Sequence, residues 1–186
     1  MPVTVNFLAP DLKSLDRLQA QLLVLSLFED ERPLRGVGGL VDWRTCGLLS
    51  RFLLRGHVTG APREITLFPL SGRLPTPRGL LFGLGKTSSF DERVFRDVVE
   101  RIAQNAARLG ARSLALPLPG MHKQTLDVPR AIELFADAAG DLFQQITLLA
   151  PGAQRREMTE ALRRRRGEFE VASVPTAPQP DMGGSR

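Results

Sequence analysis

The sequence predicts an α/β fold, with helices on both faces of a mostly parallel or mixed sheet. Three observations carry that expectation. Apolar runs of strand length alternate along the chain with segments of helical periodicity. Residues 21–28 (QLLVLSLF) are apolar almost throughout, as a central strand buried on both faces must be. Residues 91–109 repeat Val94, Val98, Ile102, Ala106 and Leu109 on one helical stripe. At 186 residues, 42% of them hydrophobic, the chain suits one domain with a sizeable core.

Taken in order, residues 3–8 form a first strand that Pro10 ends, and a short helix follows from Asp11 with Leu12, Leu15 and Leu18 at helical spacing. The strand at 21–28 ends at the acidic trio Glu29, Asp30 and Glu31 and at Pro33. Leu40, Trp43, Leu48 and Phe52 fit one amphipathic helix over 40–54, running through Gly47 and closed by Gly56. In that reading Trp43 packs in the core and Cys46 is a small buried hydrophobe. Strands at 64–70 and 79–84 flank a turn rich in Gly and Pro. The helix at 91–109 takes its cap from Ser89 or Asp91 and stops at Gly110. A strand at 113–118, a helix at 128–143 with Pro129 in its first turn, a strand at 145–150, a helix at 154–166 and a strand at 168–174 complete the domain, 1–174. Residues 175–186 (PTAPQPDMGGSR) have the composition of a disordered tail.

The formal charge is +5 and the pI about 10.5. Arg155, Arg156, Arg163, Arg164, Arg165 and Arg166 carry that excess, and without them the chain is nearly balanced. In the last turn of a helix such arginines meet the negative end of its dipole. They are also the candidate nucleic-acid contacts, although no aromatic residue interleaves with them to stack bases. One cysteine excludes an internal disulfide. No basic and apolar leader and no spanning apolar run is evident, so the expected location is the cytoplasm, with no membrane partner.

The most informative string is Arg78-Gly-Leu-Leu-Phe-Gly-Leu-Gly-Lys86. A strand running into glycines and then a helix presents backbone amides to an anion. Gly83, Gly85, Lys86, Thr87 and Ser88 are therefore the candidate ligand-binding residues. A P-loop would need glycine where Leu80 stands, and a dinucleotide fingerprint would need it where Ser88 stands. His57, His122 and Cys46 show no metal-ligand spacing, and no nucleophile elbow occurs, so no catalytic residue, metal or cofactor is assigned. The acidic trio reads as a solvated loop.

Over roughly residues 20–150 the ordered pieces QLLVLSLFEDE, LLRGHVTG, EITLFPL, RGLLFGLGK, DERVFRDVVERIAQNAARLGA and SLALPLP resemble the N-terminal domain of the leucyl (cytosol) aminopeptidase family. The resemblance implies a three-layer α/β/α, macro-domain-like fold. It also implies a non-catalytic role, because the family's two-metal site lies in a C-terminal domain with a signature like NTDAEGR that this sequence does not contain. The expectation is a free-standing binding or assembly domain whose partners are copies of itself or an aminopeptidase-type catalytic subunit. ADP-ribose or another phosphate ligand is the alternative. Nucleic acid is a further one, since some members of the family also bind DNA.

Overall fold

The computed structural model describes residues 1–70, 72–123, 126–165 and 167–172. Its strands are β1 (Val3–Leu8), β2 (Leu22–Leu27), β3 (Ile65–Pro69), β4 (Arg78–Gly83), β5 (Ser113–Leu116), β6 (Gln145–Leu149) and β7 (Phe169–Val171). Its helices are α1 (Leu12–Leu15), α2 (Gly36–Arg44), α3 (Leu48–Leu54), α4 (Glu92–Arg108), α5 (Val128–Ala139) and α6 (Gly152–Arg164). The proposed tail at 175–186 lies outside the described residues.

One seven-stranded sheet runs in the order β3-β4-β2-β5-β6-β1-β7. Every neighbouring pair is parallel except β3 with β4. The apolar run at β2 does sit in the interior of the sheet, between β4 and β5. Its side chains alternate as a pleat requires. Leu22 and Val24 enter the core under α4, α5 and α6, while Leu23, Leu25 and Leu27 enter the core under α1, α2 and α3. The result is the expected three-layer sandwich.

Helix α4 shows how the sequence sets an element. The Asp91 carboxylate accepts from the Val94 amide at 2.8 Å, so Asp91 rather than Ser89 is the cap. Phe95, Val98, Val99 and Ile102 are then buried against the sheet. Each such side chain contributes about 1.5–3 kcal/mol relative to exposure. Helix α5 takes Asp127 as its cap and ends at Ala139, short of the expected 143, where Gly140 turns the chain.

The single helix expected at 40–54 is two helices. Cys46 and Gly47 adopt positive φ, 54° and 77°, and break it between α2 and α3. The Asp42 carboxylate stabilises the break by accepting from the Ser50 amide at 2.9 Å. Two further expectations fall with it. Cys46 is exposed, and Trp43 is 65% exposed under the Arg44 guanidinium rather than packed in the core. A period counted across Gly47 put residues from two differently directed helices on one face.

Candidate functional site

The glycine turn predicted from sequence forms at the end of β4, and four of its backbone amides are engaged. The Gly83 amide donates to Glu64, the Leu84 amide to Leu27 and the Gly85 amide to Gly60. The Thr87 amide and hydroxyl both donate to the Asp30 carboxylate, at 3.0 and 2.9 Å. Those bonds, the amide first, hold the Asp30 carboxyl below its ordinary range. A carboxylate thus stands where an anion was expected. Gly83 is needed for close packing: a Cβ there would lie 2.0 Å from the Ala61 carbonyl oxygen. Lys86 and Ser88 remain exposed.

The arginine helix is partly structural. Arg155 donates to the Ala150 carbonyl at 2.7 Å. Arg165 bridges Asp137 and Glu168 at 2.6 Å each and lies over Phe169. Arg156, Arg163 and Arg164 are exposed, and Arg166 lies outside the described residues.

The acidic trio is a solvated loop only in part: Glu29 and Asp30 are exposed, and Glu31 is not. Asp30 caps Thr87, and Glu31 is only 6% exposed. A buried carboxylate needs dedicated donors. His122 Nε2 supplies one, 2.9 and 3.0 Å from the two carboxylate oxygens, and Lys123 Nζ stands 3.6 Å away. Glu31 follows β2 and His122 follows β5, so 91 residues of sequence separate partners that adjacent parallel strands bring together. Among the described residues no group of three or more His, Cys, Asp or Glu is arranged to hold a metal ion.

His122 also lines a crevice of about 190 Å³ at the C-terminal ends of β1, β2, β5 and β6. Leu25, Val37, Leu118, Met121, Leu149 and Met158 give it apolar walls. Ser26, Arg35, His122 and Gln154 supply polar groups, and Gly36 and Gly38 bring the first turn of α2 to its mouth. The crevice opens where the connection after β2 runs toward β3 and β4 and the one after β5 runs the other way, to β6. Parallel α/β sheets hold their ligands at such a switch point. Sequence reading missed this site because its residues come from four separate loops. The available signal was a pair of charged or histidine-bearing segments, EDERP and PGMHK, each directly after an apolar strand.

This architecture is similar to that of macrodomains of known structure. A Trypanosoma brucei macrodomain solved in complex with ADP superposes with a TM-score of 0.68 at 14% identity, covering 86% of this chain and 69% of that one. A mutant of tomato leucine aminopeptidase superposes with a TM-score of 0.59 at 16% identity, covering 87% of this chain and 36% of that one.

The chain belongs to the cytosol aminopeptidase family: residues 24–142 match its N-terminal domain. A probable cytosol aminopeptidase of Alkalilimnicola ehrlichii is 29% identical over 133 residues, 71% of this chain and 27% of the relative. Another, of Alkaliphilus metalliredigens, is 26% identical over 104 residues, 56% of this chain and 21% of the relative. The chain therefore spans about a quarter of the length of these curated relatives. Among the described residues no helix is long and apolar enough to cross a membrane.

Proposed function

We propose that this domain acts by binding, not by peptide hydrolysis, and that its ligand site is the crevice at the C-terminal ends of β2 and β5. The crevice itself carries the reading: a concave, mostly apolar space with a few convergent polar groups at a topological switch point. The likeness to a macrodomain solved with ADP supports testing phosphate ligands there first. Fragment and nucleotide screening by amide NMR tests the reading. Hits are expected to move the signals of Leu25, Val37, Leu118 and His122. A screen whose hits all map elsewhere contradicts it.

Assembly is a second reading, favoured by the exposure of Trp43 at 65% and Leu54 at 87% in the α1–α3 layer. Large apolar side chains left in water mark a contact surface where they form one patch. The partner would be a second copy or an aminopeptidase-type catalytic subunit, and the setting the cytoplasm, where relatives named cytosol aminopeptidases would work. Light scattering of the wild type and of Trp43→Asp/Leu54→Asp decides it. A species larger than one chain that dissociates in the double variant supports self-assembly, and a monomer throughout argues against it.

A further inference from the structure

We infer that the crevice takes a compact aliphatic monocarboxylate, such as a branched short-chain acid, with its anionic end at Arg35. The inference rests on the crevice being a ligand site and adds the class of ligand. Four observations lead to it.

Among the described residues, Arg35 is the one Lys, Arg, Asp or Glu lining the crevice; Ser26, His122 and Gln154 are its other polar side chains. Arg35 lines the crevice and has no acceptor among the described residues. His122 is held by Glu31, which engages Nε2 and leaves Nδ1 as the ring's remaining polar atom. The negative charge of Glu31 is offset by Lys123 and is buried away from solvent. Next to these groups the first turn of α2 has no side-chain cap, which adds partial positive charge on the same side.

No Asp or Glu lines the crevice. An ammonium entering it would lose its water without gaining an acceptor carboxylate. A zwitterionic amino acid is thus a poorer fit than the same skeleton without its amine.

Most of the wall is aliphatic or thioether: Leu25, Val37, Leu118, Leu149 and Met158 carry no hydrogen-bonding group, and Ser26 and Gln154 are the neutral polar side chains among them. A branched hydrocarbon body gains from burial against them. The volume of about 190 Å³ is small. It sits below the range of about 300–1,000 Å³ usual for drug-sized ligands. A short acid suits a space of that size.

Gly38 makes the test clean. A Cβ added there meets nothing within 4 Å, and Gly38 lines the crevice, so Gly38→Leu adds bulk beside it without a clash at Cβ. Amide NMR and calorimetric titrations would use 4-methylpentanoate, with 4-methylpentan-1-ol, leucine and ADP as comparison ligands. The acid is expected to bind saturably, at least about tenfold tighter than the alcohol or leucine. Gly38→Leu should abolish that binding, and the exposed Arg35→Gln should weaken it about tenfold or more, as the loss of one charged hydrogen bond implies. Equal binding of the alcohol or leucine, unchanged affinity in Arg35→Gln, or no saturable binding of the acid overturns the inference. If ADP instead binds the wild-type crevice and is excluded by Gly38→Leu, the acid class falls while the crevice stands as the site. If no ligand moves crevice signals, both fall together.

Discussion

The turn after β4 and the crevice after β2 and β5 are both strand-to-helix regions, and they differ in what their polar groups are doing. After β4 the amides of Gly83, Leu84, Gly85 and Thr87 all donate within the protein, and Asp30 occupies the position an anion would take. After β2 the rim cation Arg35 is unpaired among the described residues and the uncapped turn of α2 faces a cavity. A glycine-rich turn is therefore not a binding turn by virtue of its glycines. What matters is whether its donors already have acceptors.

The contrast can be broken by substitution, with the largest effect at the turn. Gly83→Ala forces a Cβ onto the Ala61 carbonyl, 2.0 Å away, with backbone on both sides. Overpacking of that kind costs about 1–3 kcal/mol or more, and chemical denaturation should show it as a large fall in midpoint while crevice ligands still bind the folded fraction. A wild-type midpoint in Gly83→Ala would mean that the turn is not tightly packed.

Next comes the Glu31–His122 pair. Glu31→Gln removes a charge-assisted bond from a buried position, an effect of about 1.5–3 kcal/mol on unfolding. Crevice binding should weaken as well, because His122 loses its anchor. His122→Gln should weaken ligand binding with a smaller loss of stability, since its side chain is 34% exposed. Equal stability losses in the two would show that the histidine is structural alone.

Smaller still is Gly38→Ala. It replaces an interior helical glycine that has open space around it, and should stabilise the domain by up to about 1 kcal/mol. Gly39→Ala is the control with the opposite sign, since a Cβ there would lie 2.8 Å from the Leu34 carbonyl oxygen.

The smallest effect is at Asp30. Its folded-state carboxyl sits below the ordinary value of 3.8 because the Thr87 amide and hydroxyl favour the anion. The stabilisation is fully present above that ordinary value and is lost as pH falls through the lowered one. The gap in melting temperature between wild type and Asp30→Asn should be constant near neutrality and close below about pH 4. A gap that persists in acid would mean that Asp30 acts through shape rather than charge.

Much of the fold was legible in the sequence because it depends on local pattern. The unbroken apolar run of β2, the Asp91 cap and the stripe of α4 each announce themselves within a few residues. The break at Cys46 and Gly47 was not legible, because a helical glycine and a left-handed one look alike in a string of letters. The site was harder still. Glu31 and His122 meet only because β2 and β5 are adjacent, and strand order is a property of the whole sheet. Arg165, counted among candidate nucleic-acid contacts, holds Asp137 and Glu168, a role visible only once α5 and α6 pack together.

The most direct test is an amide NMR titration of the wild-type domain with 4-methylpentanoate. The account predicts saturable shifts at Leu25, at Arg35 through Gly38, at Leu118 and at His122, with Gly83 through Ser88 unmoved. Shifts concentrated at Gly83 through Ser88, or no saturable shift at the crevice, would contradict it.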